Sequence, residues 1–109
     1  MGSVNYEVDG RVAILTLNRP DSLNAVNPEM VAGLLAASSR AAGDSAVRAV
    51  VVRGAGKSFM AGGDLKDFAR RLPLSAEARH AHFRALIEQH IHTTVKLLQS
   101  LPQPVIASV

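Results

Sequence analysis

The sequence has no cysteine and no tryptophan, and aromatic residues make up only 4% of its 109 positions. Without cysteine there are no disulfide frameworks, thiolate metal sites or cysteine nucleophiles, and a reducing, cytoplasmic setting is favoured. The apolar runs, such as residues 12–15, are far shorter than the roughly 18 residues that cross a bilayer. The first residues show no export signal. We therefore expect a soluble cytoplasmic protein with no membrane partner.

Charged residues are few and dispersed. They make up 19% of the sequence, the formal net charge is +3, and the arginines are scattered along the chain. A nucleic-acid-binding protein would show a clustered basic surface, so nucleic acid is not an expected partner. The hydrophobic residues, 48% of the chain, favour a buried α/β interior instead.

The N-terminal region is predicted to form a β-hairpin. Residues 6–8 and 11–18 flank Asp9-Gly10, a dipeptide typical of a type I′ turn. The second strand, VAILTL at residues 12–17, is apolar on both faces. This pattern is typical of a sheet that is covered on two sides.

A helix is predicted after this hairpin. Asn27 is expected to be its N-cap, Pro28 its first residue, and Gly43 followed by Asp44 its end. Its apolar positions share one face: Met30, Val31, Leu34, Leu35 and Ala41. The helix should therefore pack on the sheet.

The second half begins with a predicted strand at residues 47–52 and a glycine-rich loop, whose glycines are Gly54, Gly56, Gly62 and Gly63. Asp64 is expected to cap a short helix at residues 65–71. Ser75 is expected to cap a longer helix that ends before Pro102, with a 3.6-residue apolar period at Phe83, Leu86, Ile87, Ile91, Val95, Leu98 and Leu101. Residues 105–109 favour a final strand, which makes the order ββαβαβ.

Three motifs occur in a fixed order. NRPDSLNAV occupies residues 18–26, FMAGGDLKDF occupies residues 59–68 after the strand VRAVVVRG, and the sequence closes on PQPVIASV. In this order and spacing they resemble the crotonase family, the enoyl-CoA hydratase/isomerase enzymes, over essentially all 109 residues. The resemblance implies the α/β ClpP/crotonase fold, a ββα superhelix that is incomplete here. Residues 1–109 would be the N-terminal part of an acyl-CoA-binding domain, ending before its second oxyanion-hole segment.

The resemblance also implies a catalytic group. Family members bind acyl-CoA thioesters and hold the thioester oxygen with two backbone N–H groups while an enolate forms. The first of these donors corresponds to Gly63. The residue types suit this role, because Gly62 and Gly63 let the backbone approach a ligand and Asp64 begins the predicted helix behind them.

By the same resemblance, the backbone around five residues would line the slot for pantetheine and adenine: Leu23, Ala25, Ala61, Asp64 and Leu65. Arg19 and Lys66 are candidate phosphate contacts, although each also fits a solvated surface charge. The implied substrate is a coenzyme A thioester, and no further cofactor or metal is implied. The implied assembly is a homo-oligomer, a trimer or a hexamer.

Other interpretations of these residues stay open. The glycines could form only a tight connection, and GKS at residues 56–58 resembles the end of a P-loop, although Val51 stands where that signature needs glycine. Four histidines lie on the long predicted helix: His80, His82, His90 and His92. Members of each close pair point about 200° apart on a helix, which favours surface positions over a metal site.

Two functional hypotheses follow from the sequence. In the first, the chain is the N-terminal half of a catalytic acyl-CoA enzyme in fatty acid metabolism, and hydration of a 2-enoyl-CoA is the commonest reaction of the family that it resembles. In the second, it is a catalytically inactive fragment or acyl-CoA-binding module. The resemblance places the second oxyanion amide and the water-activating glutamates outside these 109 residues. We therefore expect the chain alone to be inactive, and its last strand to leave an edge prone to association.

Overall fold

The structure is a computed structural model that describes residues 2–62, 69, 72–85 and 92–109. These residues form a four-stranded sheet in the order β1-β2-β3-β4. The strands are Val4–Asp9 (β1), Val12–Leu17 (β2), Ala49–Gly54 (β3) and Val105–Ser108 (β4). The pairing of β1 with β2 is antiparallel, whereas β2 with β3 and β3 with β4 are parallel.

The described helices are Pro28–Ala42 (α1), Ala76–Ala85 (α2) and His92–Ser100 (α3), with a short 3-10 helix at Pro20–Ser22. The α/β class and the alternation of strands and helices are confirmed. The predicted helix at residues 65–71 lies outside the described residues except for position 69. The described parts of the predicted long helix are α2 and α3, and residues 86–91 between them lie outside the description.

The hairpin turn is one residue further along the chain than the sequence predicted. Asp9 pairs with Val12, so the two turn residues are Gly10 and Arg11. Gly10 has a φ of 63°, and Arg11 is not among the residues with positive φ. A type I′ turn needs positive φ at both turn positions, whereas a type II′ turn needs it only at the first. The turn is therefore of type II′ and not of the predicted type I′, since only its first residue is a glycine.

The core lies between the sheet and α1. On β2, Ala13, Leu15 and Leu17 are almost fully buried on one face, and they meet Met30 and Val50 in a single apolar cluster. Since side chains alternate along a strand, the other face of β2 carries residues 12, 14 and 16. Apolar side chains on this second face are half-buried within the described structure.

Cap chemistry fixes α1 where the sequence predicted it. The Asn27 side chain accepts a hydrogen bond from the Met30 amide at 2.9 Å, and Pro28 occupies the first turn, where no intrahelical amide bond is needed. The helix ends at Ala42, before Gly43. Ala37 and Ser38 are also buried, so the face that α1 presents to the core extends beyond the apolar stripe read from the sequence.

The connection from α3 to β4 is held by a buried side-chain amide. Gln103 Nε2 donates to the carbonyl oxygens of Ala41 at 3.0 Å and Val47 at 3.2 Å. This amide joins the end of α1 to the approach to β3. It thereby positions β4 as the third strand of the parallel part of the sheet.

Helix α3 buries a different residue from the one expected. Thr94 is 4% exposed, whereas Val95, which belongs to the predicted apolar stripe, is 45% exposed. Val95 is thus a half-exposed member of the predicted apolar stripe in the described structure. Among the described residues, no helix has both the length and the apolar character needed to cross a bilayer.

Candidate functional site

The segment after β2 folds back on itself and uses its own amides. The amides of Ser22 and Asn24 both donate to the Arg19 carbonyl, at 3.0 and 2.8 Å, and the Ala25 amide donates to Ser22 at 3.0 Å. Leu23 and Asn24 have φ values of 54° and 55°, in the left-handed region that residues with a Cβ rarely adopt. The backbone amides of residues 22, 24 and 25 therefore already donate hydrogen bonds within the segment. A ligand would have to contact other backbone groups or the side chains of this segment.

Asn24 is fully buried and joins this segment to the loop after β3. Its Oδ1 accepts from the Arg19 amide at 2.8 Å, and its Nδ2 donates to the carbonyl oxygens of Ala55 at 2.9 Å and Ser58 at 2.7 Å. All three bonds engage groups that would otherwise be costly to bury. Asn24 lies within the motif at residues 18–26, but the sequence predicted no role for it.

The loop after β3 is packed so tightly against Asn24 that only glycine fits at position 54. A Cβ there would lie 2.6 Å from the Phe59 carbonyl oxygen, 2.8 Å from Asn24 Nδ2, and closer still to the Ser58 carbonyl oxygen. In this loop the carbonyl groups of Ala55 and Ser58 face a protein side chain, that of Asn24.

This geometry disagrees with the P-loop interpretation of GKS. A phosphate-binding loop presents N–H groups to its ligand and opens a helix directly afterwards. Here the carbonyls of Ala55 and Ser58 face the side chain of Asn24, and residues 59–62 are not helical.

The two motif segments lie side by side. The Ala61 amide donates to the Leu23 carbonyl at 3.1 Å, and the Val26 amide donates to the Gly62 carbonyl at 2.6 Å. Gly62 has a φ of 100°, which residues with a Cβ adopt only under strain. The structure thus brings together Leu23 and Ala61, two of the predicted lining residues.

The structure describes some of the predicted site residues and not others. Leu23 is 56% exposed and Ala25 is 8% exposed. The guanidinium Nη1 of Arg19, a candidate phosphate contact, donates a hydrogen bond to the Ala25 carbonyl oxygen. At least one donor of this side chain is therefore engaged inside the segment. Four predicted residues lie outside the described residues: Gly63, Asp64, Leu65 and Lys66.

An apolar cavity of about 230 Å³ lies beside this pair of segments. Its walls come from the ends of β2 and β3, from α1 and α3, and from the loop before Gly62; the lining residues are Leu17, Val26, Val31, Leu34, Val52, Phe59, Met60, Thr94, Val95 and Leu98. It is larger than a cavity of roughly 150 Å³ that binds benzene in another protein. The space can receive an apolar group of that size.

The histidines that the structure describes do not form a metal centre. In the part of the chain that is described, no group of three or more His, Cys, Asp or Glu side chains is placed to hold an ion. His80 and His92 are exposed on α2 and α3. His90 lies outside the described residues.

Comparison with known proteins identifies the family. The family model for enoyl-CoA hydratase/isomerase matches residues 12–109. The chain belongs to the enoyl-CoA hydratase/isomerase family. The resemblance predicted from the motifs is thereby confirmed.

Individual relatives agree with this assignment. A probable enoyl-CoA hydratase of Mycobacterium tuberculosis is 53% identical over 76 residues, which cover 70% of this chain and 30% of the relative. The 1,2-epoxyphenylacetyl-CoA isomerase of Escherichia coli is 36% identical over 102 residues, covering 94% of this chain and 37% of the relative. The crystal structure of an enoyl-CoA hydratase/isomerase from Xanthobacter autotrophicus Py2 superposes with a TM-score of 0.82 at 37% identity, covering 98% of this chain and 38% of that one. The chain therefore spans about a third of the length of these family members, less than the half that the sequence predicted.

Proposed function

We propose that this chain contributes the acyl-CoA pocket and the first oxyanion amide, that of Gly63, to an enzyme that hydrates 2-enoyl-CoA. The observation that supports this most strongly is the pairing of residues 61–62 with residues 23–26, in a chain that the family model matches from residue 12 onward. The pairing holds the backbone that leads directly into position 63.

In the proposed reaction the Gly63 N–H donates a hydrogen bond to the thioester oxygen. A base takes one proton from water as the water oxygen bonds to the β carbon of the enoyl group. The electron pair of the double bond moves toward the thioester carbonyl, and negative charge gathers on its oxygen. A donor fixed at that oxygen lowers the barrier, and removal of one such donor costs about a hundredfold to a thousandfold in rate. The enolate then takes a proton at the α carbon.

The coenzyme A moiety is proposed to follow the paired segments. The backbone around Leu23, Ala25 and Ala61, with that of Asp64 and Leu65, would line the pantetheine and adenine slot. Arg19 and Lys66 are proposed phosphate contacts. The apolar cavity beside Phe59 and Met60 would receive the acyl chain, because it lies next to the loop that is proposed to hold the thioester group of the substrate.

The acid and base that move protons in this reaction are proposed to come from groups other than these 109 residues. The relatives include probable enoyl-CoA hydratases and a 1,2-epoxyphenylacetyl-CoA isomerase, and both names specify a coenzyme A thioester. The chain's share of the mechanism, the amide at 63 and the pocket, serves either reaction. We also propose a cytoplasmic trimer or hexamer as the working assembly, acting in fatty acid metabolism, with no cofactor besides the thioester substrate.

A second candidate is an acyl-CoA-binding module without turnover. In strand β4, Val105 is 37% exposed and Ile106 is 53% exposed, so the described sheet has an apolar edge that the chain by itself leaves uncovered. Titration with butyryl-CoA and assay with crotonyl-CoA separate the two candidates. Binding without turnover supports the module, whereas hydration by the lone chain would contradict our assignment of acid and base elsewhere.

The proposed function is tested by amide exchange at position 63. We expect butyryl-CoA to slow exchange of the Gly63 amide, while ATP with magnesium leaves it unchanged. The gene's reading frame after Val109 provides an independent check, since a G-x-A-x-G-G-G segment with a downstream glutamate would supply the remaining groups. A Gly63 amide that never responds to an acyl-CoA would refute the proposal.

A further inference from the structure

Two loops that are distant in sequence are joined by one buried side chain. Asn24 Nδ2 reaches the carbonyls of Ala55 and Ser58 across 31 and 34 residues of sequence, and its Oδ1 holds the Arg19 amide. Because the residue has no exposed surface, water cannot replace these bonds without opening the structure.

The segment that Asn24 holds is also the segment that contacts residues 61–62. Leu23, immediately before Asn24, accepts from the Ala61 amide at 3.1 Å, and Val26, two residues after it, donates to Gly62 at 2.6 Å. The side chain of Asn24 therefore fixes the start of the loop, at 55–58, while its backbone neighbours fix the end, at 61–62.

We propose that Asn24 is a positioning residue that sets the place of the loop 55–62, which precedes the proposed oxyanion donor, Gly63, in the sequence. Its role in holding the loop stands on the described contacts alone. Its consequence for a thioester rests on the proposed function. The left-handed φ of Asn24, 55°, fits this role, since asparagine tolerates that conformation better than most residues with a Cβ.

Amide exchange in the unmodified chain gives the first test. The side-chain NH₂ of Asn24 and the backbone amides of Ala61 and Val26 should exchange through one shared opening, with the same dependence on low urea concentrations. Separate openings for the side chain and for the two backbone amides would overturn the proposal without requiring any variant.

Substitution gives the second test. In Asn24→Ala, the Ala61 and Val26 amides should exchange roughly tenfold faster or more, because a buried hydrogen bond typically shifts a local opening by about that factor. Asn24→Asp keeps the size of the side chain and the oxygen that accepts from the Arg19 amide. Its second oxygen would face the carbonyl oxygens of Ala55 and Ser58 without a hydrogen to donate, so exchange of the Ala61 and Val26 amides should again become faster.

Asn27→Ala is the matched control. Asn27 lies three residues further along the chain, and its side chain caps α1 through the Met30 amide without contacting the loop. Exchange at Ala61 and Val26 should stay protected in this variant when it is compared at equal global stability. Equal loosening in the two alanine variants would show a general structural effect and would contradict positioning.

Butyryl-CoA separates this inference from the proposed function. If the parent chain shows no response at Gly63 but Asn24→Ala still loosens residues 61 and 26, the proposed function fails and the inference about the loop stands. If Gly63 responds in the parent and equally in Asn24→Ala, the inference fails and the proposed function stands.

Discussion

The most restrictive residue of the site is Gly54. A Cβ there would meet two carbonyl oxygens and the Asn24 amide at less than van der Waals distance, and backbone oxygens cannot move aside as a flexible side chain can. We expect Gly54→Ala to lower the free energy of unfolding by about 1–3 kcal/mol, the usual range for overpacking. Urea denaturation followed by circular dichroism measures the change.

Gly43→Ala serves as its control. Gly43 ends α1 with a φ of −85°, and the nearest atom to a Cβ built there is the Ser39 carbonyl oxygen at 3.6 Å, an ordinary contact. Its substitution should be nearly neutral. A Gly54→Ala chain as stable as Gly43→Ala would mean that the loop 55–59 is not packed against Asn24.

At the level of residues, the sequence predicted which motifs matter but not which side chains hold them together. Leu23 and Ala61 were placed at the site by resemblance, and they do meet. Asn24 was missed because its bonds run to backbone carbonyls more than 30 residues away, and such partners leave no spacing pattern in the sequence. The available signal was an asparagine between apolar residues in the motif at residues 18–26, which predicts a buried amide only when the fold is known.

Among the elements, the described N-capped helices invite a direct comparison. Asn27 caps α1, which packs on the core, whereas Ser75 Oγ accepts from the Ala78 amide at 3.1 Å at the start of α2, whose residues 76–78 are exposed. We expect Asn27→Ala to cost about 1 kcal/mol of global stability. Ser75→Ala should cost clearly less, because fraying of an exposed helix end is only weakly coupled to global unfolding.

Thermal unfolding of both variants tests this difference. Helix content measured at low temperature should fall slightly in Ser75→Ala, with little change of the melting temperature. In Asn27→Ala the melting temperature itself should fall. A larger loss of stability in Ser75→Ala would show that α2 contributes more to the core than its described exposure indicates.

Local signals explain which elements were predictable. Helix α1 was predicted to within a residue because Asn27, Pro28 and Gly43 act on neighbouring backbone groups. Strand β3 was predicted at residues 47–52 but spans Ala49–Gly54, because its register is set by pairing with β2 and not by its own apolar run. On α3, Thr94 is buried and Val95 is half-exposed. Tertiary packing also explains this difference, because the orientation of a short helix follows from its packing partners.

At the scale of the molecule, we expect the described ion pair to contribute less to stability than burial in the core does. The ion pair between Arg53 and Glu7, at 3.1 Å, joins side chains that are 49% and 59% exposed. We expect Glu7→Gln to change the free energy of unfolding by less than about 1 kcal/mol, and by still less in high salt. Denaturation at two salt concentrations checks this, and a large, salt-independent loss would show that the pair is shielded from solvent.

The exposed edge of the sheet governs how the chain behaves in solution. Within the described sheet, β4 pairs only with β3, and all four of its residues are exposed. Ile106 pairs in register with Val51, so an apolar side chain stands at the edge beside unpaired backbone groups. Such an edge favours pairing with another chain, and we expect association that grows with protein concentration.

A lysine at this edge should weaken that association. Ile106→Lys removes apolar surface and adds a charge that opposes strand addition, so the dissociation constant of the self-associated form should rise by roughly tenfold or more in sedimentation velocity. Leu72→Lys is the matched control, since Leu72 is 67% exposed but lies outside the strands. An equal effect of the two substitutions would attribute the association to general surface hydrophobicity, and no effect of Ile106→Lys would place the contact away from β4.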